Sequence, residues 1–338
     1  MKESAAALYR CPYTNEPLQL ADVQSADGEV TSGRLVAPSG RSYAVRDGIP
    51  YLIDESLEKR SDEEERELQY YESSASAYDT GMDWLFRSFY ENEEELRQSM
   101  VASLALQPSS TVLEIGCGTA RDSIYIAREL GAEGRMFLQD LSPQMLTLGR
   151  RRMQQQNHAA ALEYFVGNAA SLPFPERMFD AVFHFGALNV FSDRAKALHE
   201  IARVTKVGGK VVLGDEGLGP WLRTTDYGRI LENAHPLYRA DPPVELLPPN
   251  ARNVAVRWLL GNAFYLLEFT IGDGPPPVDL DLPIPGRRGG TLRTRWMGML
   301  EGVTPETRQK AAEAAARDGV SLHEWLERVV STAAKRQD

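Results

Sequence analysis

The feature that most restricts the fold is a short apolar run that gives way to glycines and then to a helix. Thr111-Val112-Leu113-Glu114-Ile115 has the continuous apolar character of a strand buried on both faces, and Gly116-Cys117-Gly118-Thr119-Ala120 follows at once. Beyond Arg121-Asp122-Ser123, Ile124, Ala127 and Arg128 fall at helical spacing up to Leu130, and Gly131 supplies the stop. Strand, glycine turn and helix in that order open a parallel α/β sheet. Glycines let the backbone approach a ligand closely, and the helix start offers unbonded N–H groups. Dinucleotide enzymes share the pattern, but their fingerprint needs a glycine where this chain has Arg121.

The next elements narrow the ligand. Met136-Phe137-Leu138-Gln139-Asp140 reads as a second strand ending in an acid, where a carboxylate can accept both hydrogen bonds from a ribose diol. A bound nucleoside is therefore expected. Leu162–Val166 reads as a third strand followed by Gly167-Asn168-Ala169, and Phe179–Phe185 as a fourth followed by Gly186-Ala187-Leu188-Asn189-Val190.

Taken together, VLEIGCGTA, LQDLSPQML, GNAASLPFPERMFDAVF, FGALNVFSDRAKAL and ARVTKVGGKVVL, from Val112 to Asp215, resemble the class I S-adenosylmethionine methyltransferases, especially the ubiquinone/menaquinone C-methyltransferase branch. That resemblance implies a Rossmann-like α/β fold: a mostly parallel seven-stranded sheet that ends in an antiparallel hairpin. It implies S-adenosylmethionine as cofactor and methyl transfer to a small-molecule acceptor as activity. Carried over residue by residue, Glu114, Gly116, Cys117 and Gly118 would line the amino-acid end of the cofactor. Asp140 would take the ribose hydroxyls and Leu141 would pack on the adenine. Asn168 and Ala169 would meet the adenine edge, Phe185 and Gly186 would flank the sulfonium, and Tyr78 would belong to a lid. Asp140 also suits a helix N-cap, and Asn168 an Asx-turn. The chain departs from the family pattern at Ala120, Asn168, Thr205 and Val207, none of which removes a charge that the cofactor needs.

A sulfonium is already an activated methyl donor, so the protein needs to align a nucleophile and exclude water; a base is required only for an acceptor that carries a proton. His184, Asp215 and Glu216 are the candidates at strand ends, with Tyr227, His235 and Tyr238 behind them. Acceptor choice is expected to lie in the proline-rich residues 216–290, where Val254–Leu260 and Ala263–Phe269 flank Gly261-Asn262 as a hairpin. Arsenite methyltransferases open similarly at the glycine loop, but they hold the metalloid with several cysteines, and this chain has only Cys11 and Cys117.

Two appendages complete the expected organisation. Residues 1–55 read as a small β module similar to the zinc-ribbon-like modules that accompany some RNA methyltransferases, yet Thr14, Val36 and Ser39 stand where three of four ligands would be. No metal is expected, and the module should fold without zinc. Residues 56–290 then form the methyltransferase domain with its lid helices, the acid-rich stretch from Asp54 to Glu67 reading as a solvated linker or helix start. Residues 291–338 read as strand, helix, helix. Thr304-Pro305-Glu306 opens one helix and the capping box Ser321-Leu322-His323-Glu324 the next. That tail resembles ribbon-helix-helix modules, which implies a homodimer paired through Thr291–Leu300.

Charged residues at 25%, hydrophobic ones at 43% and the lack of a long apolar run suit a protein without a membrane span. Two cysteines and no leader pattern suit a cytoplasmic setting. A net charge of −11 weighs against nucleic acid as partner. A DNA-binding regulator that uses the core as a sensor, or an RNA methyltransferase, stands as the alternative to a small-molecule enzyme.

Overall fold

The computed structural model describes residues 1–285, 290–297 and 303–335. The chain divides into two compact units, Met1–Pro276 and Pro277–Asp338.

The first unit is built on a seven-stranded sheet. Its strands are β5 (Thr111–Ile115), β6 (Arg135–Asp140), β7 (Ala161–Val166), β8 (Phe179–Phe185), β9 (Thr205–Glu216), β10 (Ala251–Leu259) and β11 (Phe264–Ile271), preceded by four short strands described below. In space the order is β10-β11-β9-β8-β5-β6-β7. The central strands from β9 to β7 are parallel, and β11 runs antiparallel to both β9 and β10. The expected mostly parallel, Rossmann-like seven-stranded sheet with its final antiparallel hairpin is thus present.

The central strands lack polar alternation because both faces are covered. Leu113, Phe137, Val182 and Leu213 point into one apolar layer, where α6 (Arg194–Val204) contributes Leu198 and Ile201. Val112, Met136, Phe183 and Val212 point into the other layer. There α3 (Glu93–Ala102), α4 (Ser123–Glu129) and α5 (Pro143–Gln154) supply Met100, Ile126 and Leu146. The chain winds from β5 outward to β7 and then returns to β8 on β5's other side. That reversal opens a crevice at the carboxyl ends of the strands, where α/β sheets bind ligands.

The N-terminal residues carry α1 (Glu3–Ala6) and a four-stranded antiparallel sheet of β1 (Gln19–Ala26), β2 (Glu29–Val36), β3 (Ser42–Arg46) and β4 (Ile49–Pro50). This sheet shares a core with the large one. Tyr9 is fully buried with its ring 5.4 to 6.1 Å from those of Phe137, Phe165 and Phe174. The Leu52 N–H donates to the Val166 carbonyl at 2.8 Å, so the segment after β4 continues the large sheet past β7. In the turn read as a degenerate metal knuckle, the Thr14 and Ser39 hydroxyls both donate to the Glu16 carboxylate, and the Cys11 thiol meets the Tyr43 hydroxyl at 3.1 Å.

The second unit contains α8 (Leu292–Met297), α9 (Pro305–Arg317) and α10 (Leu322–Ala334), numbered after α2 (Asp62–Ser88) and α7 (Asp226–Ala234) of the first. Thr304 and Ser321 cap the last two helices, as their sequence patterns suggest. The strand expected over 291–300 is corrected: Leu292–Met297 is helical, while 298–300 lie outside the described residues. Alternating Leu, Arg, Thr and Trp can form an edge strand only if another strand pairs with it. Leu, Arg and Met are also good helix formers. Because that segment is helical, a ribbon pairing through Leu292–Met297 is absent. The second compact unit begins at Pro277, within the run Pro275-Pro276-Pro277 that follows Gly274. Arg293 pairs with Asp281 at 2.8 Å and its N–H donates to the Leu280 carbonyl, which ties that stretch to α8. Among the described residues no helix is long and apolar enough to cross a membrane.

Candidate functional site

Two side chains from the end of β6 organise the crevice. The Gly116 N–H donates to Gln139 Oε1 at 3.0 Å, and the Gln139 amide N–H donates to the Gly167 carbonyl. Gln139 thereby ties the loop after β5 to the loop after β7. Asp140 accepts from the Gly118 N–H through Oδ2 and from the Ser142 N–H through Oδ1, each at 2.8 Å. Ser142 is the N-cap of α5, which removes the capping alternative for Asp140. At Gly116, φ is +60° and a Cβ would sit 3.3 Å from the His184 ring, so both backbone and space favour glycine.

Around this frame lies one cavity. It is lined by Tyr78, Gly116, Gly118, Asp140, Leu141, Asn168, Ala169, Phe185 and Gly186, so nine of the sequence candidates converge. Glu114 and Cys117 do not line it. Glu114 is buried beneath the loop and accepts from the Ser123 hydroxyl, and burial, reinforced by Asp122, pushes its carboxyl well up. It braces α4 against β5. Cys117 points into the apolar layer with Ile126, where burial pushes its thiol well up. Asp140 is raised to about 6 by burial, against the opposing N–H groups of Ser142 and Gly118. Asn168 adopts the Asx-turn, with Oδ1 accepting from the Ala170 N–H at 2.8 Å, while its amide donates to Glu58.

The lid is α2, and it crosses the cavity with Glu64, Glu67, Leu68, Tyr71 and Tyr78. The acid-rich stretch starts α2 at Asp62, and one of its acids departs from the solvated character read for it: Glu64 is only 8% exposed and accepts from the Ser192 hydroxyl. The signal was present in Ser61-x-x-Glu64, a capping pattern whose Ser61 accepts from the Glu64 N–H, and in the heptad spacing of Glu64, Tyr71 and Tyr78 along one helix face. Arg121 anchors the lid. Its guanidinium reaches Asp79 at 3.1 Å, Asp83 at 2.6 Å and Glu93 at 2.7 Å, while Asp79 also accepts from Thr119 at 2.8 Å and from Arg152.

The proposed bases fall outside the cavity lining. His184 is wholly buried under the glycine loop, its Nδ1 bonded to the Ile115 carbonyl at 2.8 Å, and burial lowers it to about 4. A neutral ring locked there supports the loop and takes no proton from an acceptor. Asp215 is also fully buried; it accepts from the Asn189 N–H and, at 2.8 Å, from the Glu216 N–H. Tyr227 donates to the Gly261 carbonyl at 2.8 Å, His235 is exposed and Tyr238 is buried.

Residues 59–216 match the model of the ubiE/COQ5 methyltransferase family. The ubiquinone/menaquinone biosynthesis C-methyltransferase UbiE of Xanthomonas campestris pv. campestris is 36% identical over 115 residues, which cover 34% of this chain and 45% of that protein. Its counterpart in Stenotrophomonas maltophilia is 33% identical over 143 residues, 42% of this chain and 55% of that one. The chain spans about half the length of the curated relatives it matches. Among solved structures, phosphoethanolamine N-methyltransferase 2 of Haemonchus contortus in complex with S-adenosyl-L-methionine aligns with a TM-score of 0.48 and 15% identity, over 61% of this chain and 60% of that one.

Proposed function

We propose, for a chain whose residues 59–216 match the ubiE/COQ5 methyltransferase family, that it transfers a methyl group from S-adenosylmethionine to a small-molecule acceptor. The observation that carries this reading is Asp140, a carboxylate at the wall of the cavity. Burial raises it, against the opposing backbone N–H groups of Ser142, Gly118 and Leu141. Each of its oxygens has lone-pair capacity left for a hydroxyl. A ribose diol supplies two such donors.

The cofactor would be held by Asp140 at the ribose, by Leu141, Asn168 and Ala169 at the adenine, and by Gly116 and Gly118 at the amino-acid end. Phe185 and Gly186 would stand beside the sulfonium. When bound, it brings an electrophilic methyl group. The protein's part is alignment and exclusion of water: α2 roofs the cavity, and Arg121 and Asp79 hold that roof against the glycine loop. Cys11 and Cys117 are both free and buried, which supports a reducing, cytoplasmic setting.

Calorimetric titration with S-adenosylhomocysteine tests the reading. One site per chain is expected, with no binding of a nicotinamide dinucleotide; absence of the nucleoside site defeats it. The pH dependence follows from Asp140. Bound hydroxyls favour the carboxylate, so the complex holds fewer protons than the free protein. Affinity should then rise with pH up to about 6 and level off above, which makes binding about tenfold tighter near pH 7.5 than near pH 5. In the unbound protein the sign for folding is opposite. The folded state holds this proton more tightly than the unfolded chain, so the group's contribution to stability falls as pH rises from 3.8 to about 6.

A further inference from the structure

The loop after β7 is held from outside the large sheet. The Leu52 N–H donates to the Val166 carbonyl, so the chain that leaves β4 is carried past the end of β7 toward Gly167 and Asn168. Farther along that segment, the Glu58 carboxylate accepts two hydrogen bonds. Oε2 accepts from the Asn168 amide, and Oε1 accepts from the Tyr13 hydroxyl at 2.6 Å. Tyr13 is fixed in turn: its hydroxyl accepts from the Asp54 N–H at 2.9 Å, and Arg41, which pairs with Asp54 at 3.0 Å, lies 5.8 Å from the ring centroid. Burial and the bond to Glu58 hold the phenol above its usual range, so near neutral pH it stays a donor. A line of hydrogen bonds thus runs from the N-terminal module to Asn168 in the cavity wall.

That line decides which way the Asn168 amide faces. An amide has an oxygen that accepts and an NH2 that donates, nearly equal in shape. The Ala170 N–H demands oxygen on one side, and the Glu58 carboxylate demands NH2 on the other. Turning the amide over would set N–H against N–H at Ala170 and oxygen against oxygen at Glu58. One lone pair of Oδ1 and one N–H of Nδ2 remain for a ligand. They match an adenine edge, whose 6-amino group donates and whose N1 accepts; a 6-oxo purine presents the reverse. An acid at 168 would face Glu58 with like charge, which gives the departure from the family pattern at Asn168 a physical reason.

Resting on the methyl-transfer reading and on adenine beside Asn168, we propose that Glu58, held by Tyr13, is a positioning residue for base recognition: it locks the Asn168 amide so that the cavity selects a 6-amino purine. Glu58 does not line the cavity, so it acts through Asn168. The N-terminal module thereby becomes part of the nucleoside site.

Calorimetric titration of the full chain with S-adenosylhomocysteine and S-inosylhomocysteine, which differ at the 6-position, tests this. The parent chain should prefer the adenosyl compound roughly thirtyfold. Glu58→Gln should cut that ratio to about threefold, because the new amide can donate toward Asn168 and free it to turn. Tyr13→Phe should cut it less. A role in folding alone would weaken both compounds alike and leave the ratio unchanged. Asn168→Asp should weaken the adenosyl compound about tenfold through the facing charges. Glu58→Gln added to it should recover part of that loss, since the new amide accepts from Tyr13 and donates to the new carboxylate. A parent ratio near one, a ratio that survives Glu58→Gln, or a paired variant no better than Asn168→Asp overturns the proposal and leaves the methyl-transfer reading standing. Should Glu58→Gln fail to fold, the ratio in Tyr13→Phe decides in the same way. Failure of the parent chain to bind S-adenosylhomocysteine overturns that reading and this inference with it.

Discussion

Asp140→Ala is expected to weaken S-adenosylhomocysteine binding by about 3 kcal/mol, roughly 150-fold, as two charge-assisted hydrogen bonds to the ribose are lost. The same carboxylate accepts from the Gly118 and Ser142 N–H groups, so its removal also loosens the glycine loop that frames the cavity. Asp140→Asn keeps one acceptor and should lose only about tenfold. Folding should change little, because burial already disfavours this carboxylate in its charged form. Calorimetry that finds unchanged affinity in the alanine variant would remove Asp140 from the nucleoside site.

Arg97→Ala is expected to cost about 3–5 kcal/mol of stability, a fall in melting temperature on the order of 10 °C for a unit of this size. Arg97 is 3% exposed and bridges Glu93 at 2.7 Å and Asp122 at 2.5 Å, with its guanidinium 5.4 Å from the Phe86 ring centroid. Glu114 lies close enough to Asp122 and Arg97 to feel both charges. Removing the cation leaves these acids buried against one another. The double variant Arg97→Met/Asp122→Asn removes one charge of each sign and should recover part of the loss. A single variant that melts with the parent chain would show that the buried pair contributes nothing net.

The sheet was legible because its signals are local. Each central strand is an apolar run closed by glycine, asparagine or an acid, and the hairpin read around Gly261-Asn262 is formed by β10 and β11. The cavity lining was legible for the same reason: Gly116, Gly118, Asp140, Asn168 and Phe185 each sit at a strand end, and parallel strands bring such ends to one edge.

Burial of polar groups was another matter. Glu64 belongs to an acid-rich run that any local measure calls solvated, and it reaches the cavity only because α2 folds back over β8's loop to Ser192. His184 looks poised at a strand end, yet the turn at Gly116 closes above it. Arg121, which excluded a dinucleotide fingerprint by its size, gained a role only when Asp79 and Glu93 came within reach from two helices. The N-terminal module reads as separable by composition, but Tyr9 and Leu52 join it to β7 and its neighbours.

What the sequence by itself determined was therefore the order of strands, the glycine turns and the helix caps, since backbone geometry and apolar periodicity act over a few residues. Which charges are buried, which face of the lid meets the cavity, and whether Leu292–Met297 is strand or helix were decided only by tertiary structure. Those outcomes depend on partners distant in sequence: a strand needs a neighbour to satisfy its N–H and C=O groups, and a buried carboxylate needs donors that arrive from another element.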